Sequence, residues 1–133
     1  MRILNCTNHN VTEKQIRMGI IEPDSEDKMK LQASITFDLP FSMEDIDAAC
    51  TNVVTLTKKY DCTAAMIGGA PFLQGYLEQA LFSEDLCAAF AFSRRRSEEK
   101  RFSDGTIKKI AFFDTSNTII KEPNANFYII NAD

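Results

Sequence analysis

Three short segments hold the residues with chemistry to offer. The first, Asn5-Cys6-Thr7-Asn8-His9-Asn10, is polar and contains the only histidine of the chain. Imidazole gains and loses a proton near neutral pH, so His9 is the candidate general acid or base. Asn5, Thr7 and Asn8 offer neutral hydrogen bonds suited to a sugar, a base or a phosphate, although turn chemistry accounts for Asn8 and Asn10 equally well. The second segment, Gly68-Gly69-Ala70-Pro71, stands between an apolar run and a helical pattern. Backbone N–H groups at a helix start can meet an anion, and missing side chains let it approach. The segment is neither Gly-x-Gly-x-x-Gly nor a Walker A sequence, so a turn that needs glycine for its backbone angles is an equal alternative. The third segment is Ser93-Arg94-Arg95-Arg96. In an extended chain Arg94 and Arg96 share a face, and paired guanidinium groups suit phosphate, with a hydroxyl from Ser93 beside them. Pairing with Glu98 and Glu99 along a solvated edge strand is the plainer reading of the same charges.

The candidates are therefore His9 and Arg94 for catalysis, and Asn5, Thr7, Asn8, Gly68, Gly69, Ala70, Ser93 and Arg96 for ligand binding. No metal site or cofactor is expected. The carboxylates that could gather at strand ends, Asp38, Asp61 and Asp114, are scattered. Cys6, Cys50, Cys62 and Cys87 lie far apart without a Cys-x-x-Cys pair, which disfavours zinc and a disulfide framework and leaves reduced core thiols.

The elements that must position these segments follow from periodicity. Residues Arg2 to Thr7 form a first strand. Thr12 and Gln15 make a capping box for a short helix from Glu13 to Met18 that stops at Gly19. A short helix over Glu26 to Gln32 and a strand at Ile35-Thr36-Phe37 come next. Ile46, Ala49, Val53, Leu56 and Tyr60 recur every three or four residues and predict the longest helix, Met43 to Tyr60. Cys62 to Ile67 is apolar without alternation, as in a strand covered on both faces. Pro71 starts a helix with the stripe Phe72, Leu73, Tyr76, Leu77, Ala80 and Leu81. Cys87 to Ser93 is a strand, Ser97 to Phe113 a β-hairpin turning at Ser103-Asp104-Gly105-Thr106, and Phe127 to Ile130 a last strand. This order predicts an α/β fold: a Rossmann-like three-layer sandwich with a mostly parallel sheet and a C-terminal antiparallel hairpin. Ligands of such sheets bind beyond the carboxyl ends of the strands, where all three segments fall.

The chain has 133 residues, 44% hydrophobic and 26% charged, which predicts a single domain over 1–133 with its own core. The net charge of −4 argues against broad binding to duplex DNA. No apolar run approaches the length of a membrane span, and the N-terminus has no signal-peptide pattern, so a cytoplasmic protein without membrane contact is expected.

The run from Arg2 to His9 with Thr12 and Gln15, the stretch Ala65 to Leu73 with Leu77 and Leu81, and Ala91-Phe92-Ser93-Arg94 with Ser97, Glu98, Asp104 and Gly105 resemble a largely uncharacterised group of small bacterial and mobile-element proteins. The resemblance covers Met1 to Phe113. In that group a His and a Gly-Phe follow the last hairpin strand; this chain has Phe113-Asp114-Thr115-Ser116 there, which removes any role for a second histidine. More distantly, the layout is similar to CRISPR-associated Rossmann-like proteins, including ring nucleases that degrade cyclic oligoadenylates. That resemblance implies a homodimer with a two-fold pocket at the strand ends, in bacterial antiviral signalling. It also implies metal-independent attack of each ribose 2′-OH on its neighbouring phosphate. His9 would move a proton, while Arg94 or Arg96 and the Gly68-Gly69 amides would stabilise charge. The expected function is thus binding of a nucleotide or cyclic oligoadenylate, with or without cleavage. The alternative is a non-catalytic protein-interaction module, in which the hairpin and tail bind a partner.

Overall fold

In the computed structural model, residues 1–132 are described, apart from the side chains of residues 93–96 and 112–115. The chain begins with a buried strand, β1 (Ile3–Asn5), followed by helix α1 (Glu13–Arg17). The capping box is in place: the Gln15 N–H donates to the Thr12 hydroxyl at 3.2 Å and the Thr12 N–H donates to Gln15 Oε1 at 3.0 Å. Gly19 ends this turn with a φ of +92°, and a Cβ there would stand 2.2 Å from the Met1 carbonyl oxygen, so only glycine fits. A two-residue strand, β2 (Ile20–Ile21), comes next and had no sequence signal of its own.

Helix α2 spans Ser25–Ile35, with the Asp24 carboxylate accepting from the Asp27 N–H at 2.8 Å. The strand expected at Ile35-Thr36-Phe37 is therefore corrected. Ile35 is the last helical residue because it is buried one turn after buried Leu31, and the Thr36 hydroxyl donates back to the Gln32 carbonyl at 2.7 Å. Burial of the i, i+4 pair outweighs the strand preference of a β-branched residue. The expected helix of seven residues is in fact 11 residues long.

Helix α3 (Met43–Lys59) buries Ile46, Ala49, Val53 and Thr57. Strand β3 (Ala64–Met66) is wholly buried, and helix α4 (Pro71–Ser83) buries Leu73, Leu77 and Leu81 while Phe72 and Tyr76 stay exposed. The largest departure lies beyond. Strands β4 (Cys87–Arg101) and β5 (Ile107–Lys121) run 15 residues each and are joined by a turn at the expected Ser103-Asp104-Gly105 segment. The expected strand Cys87 to Ser93 and the expected hairpin are parts of one continuous ladder, whose register shifts between Phe92 and Arg94. A run of arginines does not end a strand whose partner keeps pairing with it. Strand β6 (Phe127–Asn131) pairs antiparallel with β5.

These strands form one six-stranded sheet in the order β2-β1-β3-β4-β5-β6. The first four are parallel and the last three antiparallel. The fold is thus mixed α/β with a parallel half and an antiparallel half. Alternation sorts the side chains into two cores. Leu4, Ala65, Ile67 and Ala88 pack with Leu31, Val53, Leu77 and Leu81 from α2, α3 and α4. Ile3, Ala64, Met66, Ala89 and Ile120 pack with Met18 and Val11, which flank α1. Small alanines in β3 and β4 let helices approach the sheet closely. The four cysteines are free thiols in or near these cores. Burial raises all four; Cys6 is pushed up to about 12, which leaves it no role as a thiolate nucleophile.

Candidate functional site

The order of the sheet decides where a crevice opens. From β1 the chain crosses through α1 to β2 on one side; from β3 it crosses through α4 to β4 on the other. The connections diverge at the adjacent strands β1 and β3, the topological switch point at which open α/β sheets bind ligands. A cleft of about 350 Å³ lies there, lined by Thr7, Asn8, His9, Ile35, Ile67, Gly68, Gly69, Gln74, Phe90 and Ala91. The segment after β1 and the segment after β3 meet in it. None of these lining residues is a carboxylate, so nothing among them repels an anion.

The turn after β1 is held by side chains rather than by regular structure. Asn5, only 1% exposed, donates from Nδ2 to the His9 carbonyl at 2.7 Å and to Glu22 Oε1 at 3.0 Å. Its Oδ1 accepts from the Thr7 hydroxyl at 2.7 Å and the Thr7 N–H at 3.1 Å. Glu22 also accepts the Val11 N–H at 2.9 Å, and Lys28 pairs with Glu22 at 3.0 Å while donating to Asn10 Oδ1 at 2.6 Å. Asn5 therefore organises the turn from behind, whereas Thr7, Asn8 and His9 face the cleft. Glu22 and Lys28 were missed from sequence. They act on residues 17 and 18 positions away, and no local spacing marks such a contact.

The two glycines after β3 differ in what they require. Gly69 has a φ of +94°, a conformation that favours glycine whatever surrounds it. Gly68 has no such angle, and a Cβ on it would sit 3.4 Å from Thr7 Cγ2, an ordinary contact. Neither backbone nor packing demands glycine at 68, and its bare surface faces the cleft. Ala70 is the N-cap of α4 and does not line the cleft. Helix α4 has Pro71 in its first turn and no side-chain cap, unlike α1, α2 and α3, which are closed by Thr12, Asp24 and the Ser42–Asp45 capping box. Gln74, one turn into α4, also lines the cleft and had no sequence signal.

Ser93, Arg94 and Arg96 follow Ala91 in β4, and their side chains lie outside the described residues. Among the described residues no group of three or more His, Cys, Asp or Glu is disposed to hold a metal ion, and no helix is long and apolar enough to cross a membrane.

No curated protein and no solved structure matches the chain. A family model described as the uncharacterized protein MJ1673 family does match, over residues 1–116, which includes both segments of the cleft.

Proposed function

We propose that this chain, which belongs to the uncharacterized protein MJ1673 family, binds a nucleotide or cyclic oligoadenylate in the cleft between β1 and β3. The observation that carries this reading is the meeting of His9 and Gly68-Gly69 at the switch point of the sheet, in a cleft whose lining has no carboxylate. We read the layers on the two faces of the sheet as Rossmann-like. A phosphate rests against Gly68, where the missing side chain admits it, and in front of the side-chain-free start of α4. Thr7, Asn8 and Gln74 provide hydrogen bonds to the sugar or base.

In the catalytic form of this reading, His9 takes the proton of a ribose 2′-OH as that oxygen attacks the adjacent phosphorus. The bond from phosphorus to the 5′-oxygen breaks, the 5′-oxygen takes up a proton, and a 2′,3′-cyclic phosphate remains. The cleft holds the attacking and leaving oxygens in line. Arg94 and Arg96 are the proposed cations for the developing phosphorane charge.

The test is a mass-spectrometric time course with linear and cyclic oligoadenylates, with and without EDTA, alongside calorimetric titration. Gly68→Ala is expected to keep the wild-type melting temperature and weaken binding at least tenfold. Gly69→Ala is expected to lower stability by about 1–2 kcal/mol through its backbone angle. His9→Ala is expected to retain binding and lose about 10²-fold or more in turnover. An intact panel with no heat of binding would overturn the reading, as would a Gly68→Ala variant that binds like wild type.

A further inference from the structure

Past its register shift the β4–β5 ladder continues as a hairpin that no third strand pairs with. From residue 97 to residue 109 every residue is exposed, so the ribbon has both faces in solvent. A two-stranded ribbon is marginally stable alone in water, and eight further residues of extended chain reach about 25 Å. The ribbon also differs in charge from everything else. Residues 94–114 hold seven Lys or Arg and four Asp or Glu, a net of +3, so that the remainder of the chain carries −7 of the overall −4. Lys100 lies directly opposite Lys108 across the ladder, a like-charge pair that costs stability in an isolated ribbon. The Lys108 ammonium is 5.8 Å from the centre of the Phe102 ring, and Phe102 and Ile107 place half-exposed apolar groups at the same end. One face of the tip thus carries Lys100, Lys108 and Phe102, and the other carries Arg101 with Ile107.

The opposite character is found on the helical side of the body. An open groove of about 530 Å³ runs between α3 and α4, with Val54 and Ala80 among its apolar lining, Asp47 at one end and an exposed Lys58–Glu84 ion pair at 2.7 Å on its walls, so that Asp47 is the lining carboxylate with no lining cation beside it. Glu44, exposed on the first turn of α3, stands one turn before Asp47 on the same helix.

We propose that the β4–β5 arm is a clasp for a second copy of this chain: the arm of each copy seats its tip in the α3–α4 groove of the other, Lys100 and Lys108 against Asp47 and Glu44, Phe102 against Val54 and Ala80. The charge division between arm and body carries the choice of occupant, since a chain with a −7 body supplies the acidic partner that a +3 arm requires. The proposal does not rest on the ligand reading of the cleft, whose lining shares no residue with the groove or with the arm tip.

Sedimentation equilibrium of the full chain tests it. The wild type is expected to be a dimer whose dissociation constant rises at least tenfold between 50 mM and 500 mM salt. Lys100→Glu with Lys108→Glu is expected to give monomers, and so is Asp47→Lys with Glu84→Lys, both of which line the groove. Because all these side chains are exposed, circular dichroism should remain that of the wild type. Mixing the two variants makes both contacts charge-complementary, one with the native charges and one with the charges exchanged, and a heterodimer should form. A chain that stays monomeric at 200 µM overturns the proposal. So does a dimer indifferent to the arm substitutions, or one that the arm variant abolishes and the groove variant leaves intact. A monomer whose arm lysines bind an oligonucleotide also overturns it, and assigns the arm to nucleic acid.

Discussion

The two halves of the sheet are built on opposite principles. In the parallel half, β1 and β3 have three residues each, all buried between neighbouring strands and the two cores on either face of the sheet. In the antiparallel half, β4 and β5 have 15 residues each, yet their distal portions bury little against anything but one another. Strand length therefore says nothing here about where the stability lies. A short strand covered on both faces is fixed by the apolar area of its neighbours, whereas a long ribbon gains cross-strand pairs worth only fractions of a kcal/mol each. The cleft opens at the strand ends of the parallel half, and the exposed arm belongs to the other.

That contrast can be broken most directly in the core. Leu81, fully buried beneath α4, is expected to cost about 3 kcal/mol when changed to Ala, read as a lowered urea midpoint. A cost under 1 kcal/mol would mean that the helical layer does not hold the parallel half together. A smaller effect should appear with pH. Hydrogen bonds from Lys59 at 2.7 Å and from the Tyr60 hydroxyl at 2.8 Å hold the Asp27 carboxyl below its ordinary range. A carboxyl depressed in the folded state contributes stability that is complete above its unfolded pKa and is lost as pH falls through the folded one. Melting temperature should therefore fall from about pH 5 to about pH 3, and the slope should flatten in Asp27→Asn. Equal slopes would show that this join between α2 and α3 adds nothing. The smallest effect belongs to the arm: Ile107→Ala should change monomer stability by less than about 0.5 kcal/mol in denaturant titrations run in 500 mM salt. A loss near that of Leu81→Ala would erase the distinction between the halves.

The same contrast explains what could be read in the sequence. The capping box at Thr12 and Gln15, the stripe Leu73, Leu77, Leu81 and the unalternating run before Gly68 are local patterns, and each forms what its pattern dictates. The strand-end positions of Thr7, Asn8, His9, Gly68 and Gly69 follow from those elements, which is why both segments of the cleft were legible. What failed was decided at a distance. Ile20 and Ile21 become a strand only because β1 lies beside them, pairing Ile3 with Ile20. Ile35 stays helical because Leu31 is already buried. The arm keeps its strand conformation through three arginines because the chain from Ile107 onward pairs with it residue by residue. Glu22 and Lys28 brace the His9 turn across 11 to 18 positions, which no window along the chain contains.

The body of the sheet, apart from the arm, has two unlike margins, and they set how many copies can join through it. At one margin, β2 offers only Ile20 and Ile21, closed off by the buried Pro23 two residues on. At the other, β6 presents five residues, with Phe127 and Ile129 open to solvent. Growth of a sheet by stacking chain on chain needs a usable margin at both ends, as fibrils and filaments do. Within the body of the sheet β6 alone offers such an edge, so association through the body margins joins two chains and goes no further, because the brevity of β2 closes the other side.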